Sequence, residues 1–286
     1  MVTVHNFSYG ALNPALAYAV SCLGAFLGLR CVTRARAHDG RRRAAWLVLA
    51  TVSVGATGIW AMHFIAMLGF TIPGQTILYN VPVTIASMLL AIAVVGVGLF
   101  IVGYGNGSWK QLLLAGAIVG IGVAGMHYLG MAAMNMPDTM HYNALLLALS
   151  IVIAIVAGTA ALWIGTWVRS WVTTLGAALI MGVAVSGMHY TGMAAMHVDS
   201  SGGAAMSTMG GADGASFLFP LIVGISMVTL ILTLIVSLSP SEEEIQLDAR
   251  IQQQLQDLER KAREQARVTQ QSLATQAQRD RRGHYR

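Results

Sequence analysis

Seven stretches of the chain are apolar over a length that crosses a bilayer, and most of the charged positions fall between or after them. They lie near residues 14–31, 46–70, 81–103, 110–134, 143–168, 171–196 and 217–239. A hydrocarbon core of about 30 Å needs roughly 20 helical residues. Lipid offers no partner to an open backbone, so each stretch is expected to be a helix. The fold class is therefore an all-α membrane protein with seven transmembrane helices. Residues 1–13 precede a membrane domain at 14–239, and 240–286 form a polar tail. The tail reads as one helix. Ser239-Pro240-Ser241-Glu242 has capping-box spacing with Pro at the first helical position. Asp257–Lys261 and Glu259–Arg263 stand at i,i+4. Ile251, Leu255, Leu258 and Ala262 give the tail a short apolar stripe, open to two readings: a solvated helix or a dimerising one.

Composition sharpens this picture. The chain is 56% hydrophobic and 10% charged, where a soluble domain carries about 25% charged residues. Residues 1–240 hold 8 Lys+Arg and 4 Asp+Glu, and the last 46 residues hold 9 and 8. The net charge of +5 is not gathered into a basic face, so no nucleic-acid partner is expected. Arg30, Arg34, Arg36, Arg41, Arg42 and Arg43 crowd the first connection, Lys110 lies in the third and Arg169 in the fifth. The second, fourth and sixth carry only Asp138, Asp199 and Asp213. By the positive-inside rule the odd connections and the C-terminus are cytoplasmic, and the N-terminus is outside. Residues 1–13 have no basic region, so span 1 is expected to be retained rather than cleaved as a signal peptide. Cys22 and Cys31 are about 13 Å apart on one helix, too far for a disulfide.

An internal repeat organises the spans. The segments are Gly58-Ile-Trp-Ala-Met62-His63-Phe64-Ile-Ala-Met67, Gly122-Val-Ala-Gly-Met126-His127-Tyr128-Leu-Gly-Met131 and Ala184-Val-Ser-Gly-Met188-His189-Tyr190-Thr-Gly-Met193. Their histidines are 64 and 62 residues apart. Three helix pairs are expected, with the motif in the second helix of each, and span 7 is an addition. Tyr79-Asn80 and Tyr142-Asn143 echo the period. Spans 2, 4 and 6 run in one direction, which places the motifs at one depth in the outer third of the membrane. Small residues around them, among them Gly55, Gly120, Gly182 and Gly192, allow close helix approach. Ionisable groups inside a membrane are costly and usually functional. His and Met at i,i+4 share a helix face, so His63, His127, His189, Met67, Met131 and Met193 are the first candidate metal ligands. Met62, Met126 and Met188 point about 100° away and form a second set. Met134, Met136 and Met196 are read either as packing or as a surface that admits a metal. His5, His141 and His197 fall on the outer side, as ligands of a second site or as solvated loop residues. His38 and His284 are taken as incidental, Cys22 as buried and inert, and the stretch holding Gly202-Gly203 and Gly210-Gly211 as a flexible loop.

These segments resemble the MHYT domain, a bacterial integral-membrane sensor module named for a Met-His-Tyr-Thr motif. Met188-His189-Tyr190-Thr191 is the full motif. Met126-His127-Tyr128 has Leu129 in place of Thr, and Met62-His63-Phe64 has Phe for Tyr and Ile65 for Thr. The resemblance covers roughly residues 5–236. It implies a multi-pass sensor of the bacterial inner membrane that is not an enzyme. It implies one or two copper ions near the outer face and a response to O2, CO or NO. Many members carry cytoplasmic domains for cyclic-dinucleotide signalling. The tail here is too short for one, so a stand-alone sensor of such a gas or of redox state, acting through span 7, the tail and a separate cytoplasmic partner, is expected. The ligand chemistry agrees: thioether suits Cu(I), imidazole suits copper in either state, and the spans hold no carboxylates for Mg, Ca or Mn. Tyr128 and Tyr190 are expected beside the ligands, as hydrogen-bonding partners or as packing. The alternative is a copper-handling protein for delivery or transport, although the inner halves of spans 2, 4 and 6 offer no polar path. A copper oxidoreductase ranks last, for want of a proton-relay carboxylate.

Overall fold

The structure, a computed structural model, describes residues 8–73, 76–136, 139–199, 211–240 and 242–283. His5, Asp138, Gly202, Gly203, Gly210, Ser241 and His284 lie outside the described residues, as does the side chain of Glu242, so the capping box is not described. The chain divides into two units, Met1–Leu238 and Ser239–Arg286.

Seven helices of the first unit are long and apolar enough to cross a membrane. They are α1 (Leu12–Arg36), α2 (Gly40–Met67), α3 (Val81–Tyr104), α4 (Trp109–Ala132), α5 (Ala144–Trp167), α6 (Trp171–Ala195) and α7 (Gly214–Leu238). Helices α1 to α6 pack in sequence and α6 closes on α1, while α7 lies against α1 and α2. A buried hydrogen bond between the Thr57 and Thr229 hydroxyls (2.8 Å) joins α2 to α7.

Two helices are longer than their apolar stretches. α1 continues to Arg36 and α2 starts at Gly40, because the arginines that break the hydropathy are themselves helical. Their side chains cap other helices. The Arg34 guanidinium donates to Val236 O near the end of α7 (2.5 Å). Arg36 donates to Gly165 O and Val168 O at the end of α5, and Arg43 to Gly103 O at the end of α3. The last carbonyls of a helix lack intrahelical partners and carry the negative end of its dipole. One basic connection therefore satisfies the C-termini of three helices.

The opposite end is tied differently. The Asn80 and Asn143 side chains cap α3 and α5, accepting from Val83 N and from Leu145 N and Leu146 N. Their own N–H groups donate to Ala133 O at the end of α4 and Ala195 O at the end of α6, both at 2.8 Å. Asn13 Nδ2 reaches Ile65 O of α2 in a comparable way (3.2 Å). The Tyr-Asn echo is thus a capping device that ties the first helix of each pair to the end of the second.

Short strands cover the motif-bearing end: β1 (Leu78–Tyr79), β2 (Met134–Asn135), β3 (Thr139–Tyr142), β4 (Met196–Asp199) and β5 (Ala212–Asp213). β1 pairs antiparallel with β2 and β5, and β3 antiparallel with β4. Two to four residues are too few for a period-2 pattern to register in the sequence. The second unit is one helix, α8 (Glu242–Gly283). Along it Glu259–Arg263 (3.8 Å) and Arg260–Glu264 (3.7 Å) form exposed i,i+4 pairs. Asp257 and Lys261 form no ion pair among the described residues.

Candidate metal centre

The three motif helices bring His63, His127 and His189 together, each at most 1% exposed. Their Nδ1 atoms form a closed triangle, with sides of 3.0 Å (63 to 189), 3.1 Å (127 to 63) and 3.3 Å (189 to 127). The rings are nearly perpendicular to one another, at 81°, 82° and 86°, like blades of a propeller. Among the described residues this is the one cluster of three or more His, Cys, Asp or Glu groups able to hold a metal.

The triangle is not a complete hydrogen-bond arrangement. A neutral imidazole nitrogen carries either one proton or one lone pair. Three Nδ1 atoms therefore cannot all be paired with one another, and at least one side of the triangle must set two lone pairs or two N–H groups against each other. A cation at the centre removes that conflict. Metal–imidazole bonds of about 2.0–2.1 Å place three such nitrogens about 3.3–3.5 Å apart, close to the spacing seen. The donor set and its convergence fit a copper ion.

The other side of each ring explains why glycine recurs in the motif. The Nε2 atoms of His63 and His127 are buried without a hydrogen-bond partner among the described residues. A Cβ on Gly130 would stand 2.6 Å from His63 Nε2, and one on Gly192 would stand 2.4 Å from His127 Nε2. Each glycine lies three residues after the histidine of its own helix. The imidazole of one repeat is thus seated against the bare backbone of the next. Gly192 reads in the sequence only as a small packing residue, and Gly130 gives no signal of its own. The shared Met-His-Tyr-x-Gly spacing is the trace of this contact.

The aromatic residue after each histidine packs on it edge-to-face. Phe64 meets His63 at 4.7 Å, Tyr128 meets His127 at 4.9 Å and Tyr190 meets His189 at 4.9 Å between centroids. The Tyr128 hydroxyl bonds Ser150 Oγ at 2.6 Å, so its polar end anchors α5. Packing is common to all three copies, which explains why Phe serves in the first. Over Phe64 lies Tyr79 of β1 (6.0 Å), whose hydroxyl pKa is pushed up by burial.

The nine candidate methionines are all buried. Met67, Met131 and Met193 share one cluster with Met126, Met188, Met134, Met136 and Met196, so burial does not separate the two ligand sets. Met62 stands apart, against Ala17, Ile65 and Ala66. His141 and His197 lie outside the triad, exposed and opposite each other on β3 and β4. His38 Nδ1 donates to Arg34 O at the end of α1 (2.8 Å). Cys22 is outside the cluster and packs against Gly182 of α6, half-buried rather than buried as the sequence suggests.

The first repeat reaches the triad by a different backbone. Residues Ser53–Ala61 of α2 form a π-helix. Gly55 sits against Ile92 Cα and Ala91 O of α3, and Gly120 sits in the same way against Ile155 Cα and Ala154 O of α5. Yet Gly55 precedes His63 by eight residues, whereas Gly120 and Gly182 precede their histidines by seven. α2 therefore holds one extra residue between packing glycine and ligand, and the wider π turn absorbs it. Deleting Ala56 is expected to convert this segment to α-helix with both flanks in place, keeping thermal melting in detergent near that of the parent. Deleting Val123 from regular α4 would rotate half a helix by about 100° and is expected to lower melting by more than about 10 °C. Equal effects of the two deletions would refute this account.

Below the triad, a cavity of about 200 Å³ follows the axis of the helix ring. Met188 and Ile59 line its triad end, Val119 and Ala154 its wall, and Arg36 and Arg43 its far mouth.

Comparison with known proteins places these features in context. The MHYT family model, described as a bacterial signalling protein N-terminal repeat, matches residues 57–115, 120–178 and 182–245. Each match starts near a motif and runs into the following helix. The period equals that of the pairing above, but the frame is moved by one helix. In space the third motif helix meets α1, where the first two meet the helix that follows them. The chain is 35% identical over 242 residues to the bifunctional diguanylate cyclase/cyclic di-GMP phosphodiesterase MucR of Pseudomonas aeruginosa, covering 83% of this chain and 35% of that protein. It is 34% identical over 216 residues to the cyclic di-GMP phosphodiesterase NbdA of the same organism, covering 73% and 27%. It is 27% identical over 197 residues to the signaling protein YkoW of Bacillus subtilis, covering 66% and 24%. The chain thus spans about a third or less of the length of these relatives. No solved structure matches it.

Proposed function

The chain belongs to the MHYT family of bacterial membrane signalling domains, and from that premise we propose that it is a copper-dependent sensor of a diatomic gas, O2, CO or NO, with no catalytic activity of its own. The observation that carries the reading is the buried triangle of three Nδ1 atoms. His63, His127 and His189 hold the ion, and the thioethers of Met67, Met131 and Met193 are the soft donors nearest in sequence. Bound there, Cu(I) would supply a soft centre able to take a small neutral molecule. The surrounding Phe64, Trp60 and buried methionines exclude water. The end bearing the strands faces outward and the arginine-bearing end faces the cytoplasm of a bacterial inner membrane.

His63 stands two residues after the π segment, so a displacement of its ring would be transmitted to that segment. Thr57 in that segment is bonded to Thr229 of α7, and α7 leads in sequence to α8. This gives a physical route from the centre toward a cytoplasmic partner. Copper transport is the poorer reading. A cation moving inward would cross a cavity lined almost entirely by apolar side chains and meet Arg36 and Arg43 at its mouth.

The test is metal analysis of the purified protein, followed by infrared spectroscopy under CO. About one copper per chain and a CO-dependent C–O band in the reduced protein are expected. A protein that takes up no copper, or a copper-loaded one silent to CO, O2 and NO, would overturn the proposal.

A further inference from the structure

We infer that His141 and His197 form a second, surface metal site on the strand cap, selective for a divalent first-row ion that prefers imidazole. The two residues are direct partners in the antiparallel β3–β4 ladder. Directly opposed residues on one face hold their Cβ atoms about 4.5–5.5 Å apart, within the span over which two imidazoles can close on one ion. The alternation of the ladder sets the face. Met196 and Val198 are buried, and their partners Tyr142 and Met140 are half-buried against the same cluster. His141 and His197 point the other way and are exposed, with Thr139 and Asp199 next on that face.

A second observation points to a ligand. His197 Nδ1 lies 2.8 Å from Met196 O. A carbonyl oxygen only accepts, so Nδ1 carries the proton and Nε2 keeps its lone pair. Protein imidazoles that bind metals characteristically donate their other ring N–H to a carbonyl or carboxylate in this way, which fixes tautomer and ring orientation. His197 is thus already prepared as an Nε2 donor toward solvent, with His141 beside it. Among divalent ions the order of affinity for such a site peaks at Cu(II), with Zn(II) weaker. The site differs in kind from the buried triad. It is open to water, has imidazole donors without an enclosing methionine shell, and is built on a sheet the triad does not share. It stands whether or not the triad holds copper.

The experiment uses the full chain in detergent micelles, titrated with Cu(II) or Zn(II) alone. The parent is compared with His141→Ala, His197→Ala and His127→Ala. His141 and His197 are exposed, and circular dichroism verifies that their variants fold. Each is expected to weaken one divalent-ion site at least about tenfold, while His127→Ala leaves that site intact. Cu(II) paramagnetic resonance of the parent should show coupling to imidazole nitrogen that both cap variants lose. Superimposable isotherms for the parent and both cap variants would overturn the assignment. Loss of the same site in His127→Ala would also overturn it, because the ion would then belong to the triad.

Discussion

Replacing His127 by alanine is expected to lower Cu(I) affinity at least about 100-fold, equivalent to about 2.7 kcal/mol. The reason lies in the closed triangle. Each Nδ1 is within 3.3 Å of both others, and among the described residues no fourth imidazole joins the cluster. Water cannot readily substitute in a pocket where each histidine is at most 1% exposed and the neighbours are methionine and aromatic rings. His63→Ala and His189→Ala should behave alike, since the three sides of the triangle are nearly equal. His38→Ala is the control: it removes an imidazole at the opposite end, bonded to a carbonyl at the end of α1. Competition with a chromogenic Cu(I) chelator gives the affinities, and helix content and thermal melting verify folding. His127→Asn covers the case in which alanine leaves too large a void. An affinity within twofold of the parent in all three alanine variants would remove the triad from the metal site.

The second large effect concerns a residue with no side chain. Gly192→Ala is expected to weaken copper binding by about 10- to 100-fold, although every donor atom remains. The added Cβ would stand 2.4 Å from His127 Nε2 and 2.9 Å from its Cδ2, well inside contact distance. Either the imidazole leaves its place in the triangle or α6 moves away from α4, and overpacking of this kind costs roughly 1–3 kcal/mol. Gly187→Ala supplies the control on the same helix, because a Cβ there meets nothing within 4 Å. Alanine is the better helix former by about 1 kcal/mol, so Gly187→Ala should melt no lower than the parent and bind copper equally well. Gly130→Ala, whose Cβ would stand 2.6 Å from His63 Nε2, should follow Gly192→Ala. Equal behaviour of Gly187→Ala and Gly192→Ala would show that the glycine does not seat the histidine.

These two expectations differ in how far they could be anticipated. The histidines announce themselves in the sequence, as ionisable residues repeated at 64 and 62 residues inside apolar stretches. The seating glycines do not, because Gly130 and Gly192 are two among 31. The tyrosines divide in the same way. Their position after each histidine is visible in the chain. That Tyr128 turns its hydroxyl to Ser150 and only its ring edge to His127 is visible only in the fold. The arginines of the first connection were readable as a charge bias that orients the helices, whereas their bonds to the C-terminal carbonyls of α3, α5 and α7 were not.

Hydropathy, repeat period and motif identity are properties of the chain taken in order. They suffice for seven helices, for three equivalent motif helices and for the family, because lipid permits little besides a helix and a repeat of one length brings each motif back to one depth. Which ring atoms meet is a different kind of quantity. The convergence on Nδ1, the π turn that absorbs one extra residue before His63, and the pairing of His141 with His197 each depend on distances between segments far apart in the chain. Those distances are set by how closely bare glycine backbone lets helices approach and by short strands with no sequence period of their own. Only the packed tertiary structure decides them.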